Sequence, residues 1–192
     1  LQPLSDHLHP SLPNPTRLWG YRPSNVVSGS NKHLGGIIVA NRGTAVQITA
    51  TNALPPDHII PVDNTIMGAE TDQPKNKATI HLHGGLVPWV SDGGPHSWFD
   101  PSGGYGTSAG VGGASYKAVN PGLLAGQAEY YYPNMQGARM MWYHDHAIGI
   151  TRINAYAGLA TAYVITDSYE ASLVTANNLP GPLDPRTKYL VF

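Results

Sequence analysis

An all-β domain is what this sequence predicts, on two observations. Glycine and proline, 22 and 17 of 192 residues, make up about a fifth of the chain, which suits short strands joined by turns and argues against long helices. Alternating or continuous apolar stretches recur along the chain, each bounded by turn residues. Charged residues are only 12%, against 41% hydrophobic, so neutral polar groups must cover most of the surface. A formal net charge of -1 gives neither a basic nucleic-acid footprint nor a disordered acidic tail.

Residues 1–33 carry Pro3, Pro10, Pro13, Pro15 and Pro23. Proline fixes φ and removes a donor, so this stretch reads as an extended arm lying over a domain. The domain itself is expected over residues 34–167. Ile37-Ile38-Val39, the turn Asn41-Arg42-Gly43 and the alternating run Ala45 to Thr51 read as a hairpin. Ala78 to His83, Gln127 to Tyr132, Arg139 to His144 and Ala155 to Thr166 read as further strands. Asp100 to Gly113, rich in glycine and serine, reads as an exposed, mobile loop. Residues 168–192 read as a polar linker followed by a strand, Lys188 to Phe192, that opens a second domain.

No cysteine is present, so no disulfide framework exists. No apolar run approaches the roughly 18 residues that span a bilayer, so no membrane role is expected. The start, Leu1-Gln2-Pro3, is neither a signal peptide nor an initiator methionine and reads as processed or trimmed.

Nine histidines include three His-x-His pairs: His7/His9, His81/His83 and His144/His146. On a strand, residues two apart face one side with Cα atoms roughly 6.5 to 7 Å apart, so such a pair can aim both rings into one metal site. His7 and His9 lie in the Pro-rich arm and read as solvated. His81-Leu82-His83 ends one strand before Gly84-Gly85, and His144-Asp145-His146 ends another after Met140-Met141-Trp142-Tyr143. If those strands are neighbours, four imidazoles cluster. Such a set suits copper, zinc, iron or nickel and disfavours magnesium and calcium. His33 and His58 have no same-side partner and read as structural or solvated, and His96 as a loop histidine. The four methionines and Tyr130-Tyr131-Tyr132 read as packing residues.

His81-Leu82-His83-Gly84 and Trp142-Tyr143-His144-Asp145-His146 resemble two metal-binding motifs of the multicopper oxidases, most of all the bacterial spore-coat laccases, bilirubin oxidases and phenoxazinone-forming oxidases. Supporting stretches are Pro15 to Tyr21, Leu54-Pro55 with His58 to Asp63, Ser91-Asp92-Gly93 with Trp98-Phe99, and Thr151-Arg152 with Tyr156-Ala157-Gly158. The resemblance covers nearly the whole chain. It implies a cupredoxin-like Greek-key β-sandwich or barrel with an extended Pro-rich N-terminal arm, the first domain of a laccase-like oxidase. His81 is then the type 2 copper ligand, and His83, His144 and His146 serve the type 3 pair. Asp92 occupies the place of an acidic residue that feeds protons to oxygen; the plainer reading is a turn aspartate before Gly93-Gly94. Asp145 is expected to support the site, partnering Arg152 or a ligand imidazole.

A blue copper site needs a cysteine thiolate, so the type 1 copper must lie outside this chain. The implied partner is a C-terminal portion of the oxidase, on a second chain or a cleaved fragment, carrying four further cluster histidines and that type 1 site. Dioxygen and a small, phenolic or similar reductant are the implied substrates, and a secreted or extracytoplasmic setting is favoured. Two other readings are a copper-binding or structural cupredoxin-like module without oxidase activity and a mononuclear zinc protein.

Overall fold

A computed structural model describes residues 1–24, 32–106 and 120–189. Among these, eight strands form three sheets, with little helix. β1 (Gln2–Asp6) and β2 (Thr16–Gly20) make an antiparallel pair. The main sheet has the order β3 (Ile38–Asn41), β8 (Ala160–Thr166), β7 (Arg139–Asp145), β5 (Ile80–His83). β4 (Val46–Thr51) and β6 (Gln127–Tyr132) form a second antiparallel pair. The all-β expectation holds.

The core lies between these layers, where β5, β6 and the middle of β7 alternate and β8 is buried along nearly its whole length. Ala128, Tyr130 and Tyr132 of β6 are buried while Tyr131 is exposed; Ile80 and Leu82 of β5 and Met141 and Tyr143 of β7 face the same core. Tyr132 packs edge-on against Tyr163 of β8, with ring centroids 5.7 Å apart. A hydrogen bond also links the layers: the Tyr130 hydroxyl accepts the Ile80 N–H at 2.9 Å. It satisfies a buried donor on β5, which is an edge strand of its sheet.

Several elements differ from expectation. The arm forms strands and delivers Trp19, fully buried, into the core. The turn at Asn41 to Thr44 exists, but its flanking strands separate: β3 pairs parallel with β8 and β4 pairs with β6. Alternation tells a strand which face to bury, not which neighbour to choose. The expected strand from Ala155 begins as a helix, α1 (Thr151–Ala157), stopped by Gly158 in the left-handed region at φ 118°. Short apolar runs read equally well either way. A second helix, α2 (Ser168–Ala176), occupies the expected linker; the Asp167 carboxylate caps it by accepting the Glu170 N–H. Asp100 is buried and accepts from Ser102 and Gly104, so the start of the supposed mobile loop is pinned; residues 107–113 lie outside the described residues. Lys188 and Tyr189 are not in a strand, and 190–192 lie outside the described residues.

His58 is structural. Its ring packs 4.2 Å from that of Trp19 and its Nε2 lies 3.0 Å from Asn154 Oδ1. Burial lowers its proton affinity below the ordinary 6.5. The unfolded chain therefore takes up a proton that the folded one resists, so this stability is present above about pH 6.5 and lost as pH falls below it. In urea unfolding at about pH 7 and about pH 5, the acid-induced drop in midpoint is expected to be smaller for His58→Gln than for the parent. Equal drops would contradict this.

Candidate metal centre

Pairing of β5 with β7 sets His81 opposite His144 and His83 opposite Trp142. The register that turns Ile80, Leu82, Met141 and Tyr143 inward puts these four side chains on the other face. His146 keeps the same parity one residue beyond β7, where its N–H donates to Thr79 O at 3.1 Å. The four rings converge. The His81 centroid is 5.5 Å from His83, 5.6 Å from His144 and 4.9 Å from His146; His144 is 5.4 Å from His83 and 5.7 Å from His146. One nitrogen each from His81, His83 and His144 lies within 4.8 Å of the others.

Local contacts aim the rings. His81 Nδ1 lies 2.5 Å from the Asp92 carbonyl oxygen and His144 Nδ1 lies 2.6 Å from that of Asp145, so each Nδ1 carries the proton and leaves Nε2 its lone pair. Burial pushes His144 down to about 4 and also lowers His146, which favours the neutral, ligating form.

This donor set fits a soft or borderline metal. His83 Nδ1 and His144 Nε2 stand 3.2 Å apart, and two nitrogens at ~2.0–2.1 Å from one ion stand about 3–3.4 Å apart. Among the described residues, His146 Nδ1 is buried without a hydrogen-bond partner, as an atom awaiting a ligand or ion would be.

Asp92 follows a single 3₁₀ turn, Trp89–Ser91, tied to β6 by the Ser91 hydroxyl, which accepts the Tyr131 N–H at 2.9 Å. Its carboxylate is 3.5 Å from His81 Nδ1 and half-exposed, so it borders both the cluster and solvent. Gly93 makes this approach possible. Its φ is 67°, and a Cβ there would lie 1.9 Å from the Ile80 carbonyl oxygen.

Asp145 points to the opposite face, as its parity requires. Its hydrogen-bond partners are neither Arg152 nor an imidazole: it accepts a side-chain hydrogen bond from Asn154 and the N–H groups of Thr79 at 2.9 Å and Ala147 at 3.1 Å. Together with the Thr79–His146 bond, these clamp the backbone on either side of His146. Burial raises its carboxyl to about 7. His7 and His9 are exposed on the arm, and His33 is held through its backbone by Asp6 at 2.9 Å; none joins the cluster.

The roles of two residues at the centre escaped the sequence reading. Gln136 accepts the Leu86 N–H at 2.6 Å and donates to the Gly84 carbonyl at 2.7 Å, bracing the turn after His83. Trp142 stacks on His144 and His83. Its signal was present, since Trp142-x-His144-x-His146 shares one strand parity; nothing in sequence signals Gln136.

No protein-family model matches the chain. Over 166 residues, 86% of its length, it is 40% identical to a laccase of Bacillus stratosphericus, and over 175 residues, 90% of its length, 36% identical to a laccase of Bacillus subtilis (strain 168). It spans 28% and 29% of the length of these two relatives. In fold it is similar to the crystal structure of a laccase from Pediococcus acidilactici Pa5930, with TM-score 0.57 and 22% identity, covering 94% of this chain and 28% of that one.

Proposed function

We propose, for a chain that belongs to the multicopper oxidase family, that its four clustered imidazoles are half the ligands of a trinuclear copper centre in a laccase-like oxidase. The observation that carries this is the β5–β7 register, which gathers His81, His83, His144 and His146 on one sheet face. On this reading His81 serves the type 2 copper, and His83, His144 and His146 serve the type 3 pair. Residues 34–167 are the first cupredoxin-like domain, with 1–33 as its N-terminal arm and 168–192 as the link to a second domain. A C-terminal portion supplies four more histidines and, since this chain has no cysteine, the thiolate of the type 1 copper.

Copper bound at such a centre supplies one-electron chemistry and affinity for dioxygen, for reduction to water at the expense of a phenolic or similar reductant. The residues described here do the rest. The sheet holds the imidazoles at fixed separations, and rigid ligands keep closely spaced metals aligned on a small molecule. On this reading the Asp92 carboxylate, beside His81 and open to water, takes protons from solvent and hands them inward.

Metal analysis with electron paramagnetic resonance of the full-length protein tests the reading. Coupled copper near four ions per protein supports it. One zinc ion, or copper without oxidase activity, would favour the zinc or non-redox module. For Asp92→Asn we expect full copper loading, an unchanged KM for the reductant and oxygen turnover lower by about 10²-fold. A wild-type rate would remove Asp92 from proton delivery.

A further inference from the structure

The four imidazoles are not held alike. His81 and His144 are anchored through Nδ1 to backbone carbonyls, whereas at His146 the backbone is held and, among the described residues, ring Nδ1 has no hydrogen-bond partner. His83 is the exposed member of the set, and among the described residues its ring has one hydrogen-bond partner, His144. Its orientation is therefore underdetermined by polar contacts. What lies against it is Trp142, its direct cross-strand neighbour.

The indole stacks on His83 with centroids 5.1 Å apart and planes 24° apart, and on His144 with centroids 4.1 Å apart and planes 25° apart. One rigid aromatic surface thus spans both rings. Trp142 lies on the sheet face opposite the core. Its contacts are spent on the two imidazoles whose facing nitrogens are 3.2 Å apart.

We propose that Trp142 is a positioning residue: its indole sets the ring planes of His83 and His144 so that their facing nitrogens share one ion. This rests on the copper reading above. Without the indole, His83 rotates about its side-chain bonds, and the nitrogen pair separates before metal arrives. The loss falls on affinity, because order once present in the protein must be created on binding.

The test compares Trp142→Phe, Trp142→Leu and Trp142→Thr in the full-length protein. Phenylalanine keeps a stacking face, leucine keeps apolar bulk without one, and threonine is a good strand former that keeps neither. Copper affinity is expected to fall by about 10–100-fold in the leucine and threonine variants, the usual cost of removing a group that orients a ligand. The phenylalanine variant recovers most of it, and the paramagnetic signal of residual bound copper changes in the first two alone. Thermal midpoints of the metal-free proteins stay close to the parent, because Trp142 is not part of the core. If leucine performs as well as phenylalanine, apolar cover rather than stacking is responsible and the proposal is overturned. If all three match the parent in affinity and spectrum, it is likewise overturned. Crystal structures of the metal-free parent and Trp142→Leu separate this inference from the copper reading. A parent that binds no copper defeats that reading, whereas unchanged planes of His83 and His144 in the leucine variant defeat this one.

Discussion

Replacing His83 or His146 by alanine in the full-length protein is expected to abolish dioxygen reduction while leaving the blue absorption of the type 1 site intact. Groups that merely orient a ligand cost about 10–100-fold when removed, so loss of a ligand should exceed that and take turnover below about a hundredth of the parent. The two variants should fail for the same reason from different places. His83 lies on β5 and His146 just beyond β7, so a shared phenotype follows from one centre and not from one damaged strand. Oxygen-electrode rates, copper stoichiometry and the visible spectrum decide the matter. Turnover retained in either variant would overturn the assignment, and loss of the blue band would point to general misfolding.

The second large effect is expected at Gly93. A methyl group there would lie 1.9 Å from the Ile80 oxygen, 2.5 Å from its carbonyl carbon and 2.9 Å from His81 N, at a φ of 67° that alanine adopts poorly. Backbone cannot rotate aside as a flexible side chain can. Either β5 retreats from β7 or the turn moves and takes Asp92 from His81. We expect Gly93→Ala to destabilise the fold by on the order of 3 kcal/mol, combining left-handed strain with overpacking. Copper loading should fall with it. Gly94→Ala is the matched control, since a Cβ there meets Ser97 Oγ at 4.0 Å and nothing closer. Equal denaturant midpoints for the two variants would show that the contact is not binding.

Much of this architecture was legible in the residues because strand parity is a local property. His81 with His83 and His144 with His146 announce a shared face by their spacing, and Tyr130 and Tyr132 announce an inward one. Partner choice is not local. Nothing near Asn41-Arg42-Gly43 shows that β3 will run parallel to β8, a strand more than a hundred residues later. The α1 helix was hidden for another reason: Ile153 to Ala157 is apolar enough for either element, and Gly158 alone marks its end. Gln136 acts across the fold on Gly84 and Leu86, a relation that no residue pattern encodes.

The phenol that reaches from β6 to Ile80 has a consequence for the behaviour of the molecule in a crowded solution. An uncovered margin on the sheet that bears the imidazoles would be a template on which a second molecule could zip its own backbone. Tyr130 occupies the Ile80 rung of that margin from inside the protein, so this backbone donor, one residue from the ligand His81, is not offered to a second molecule.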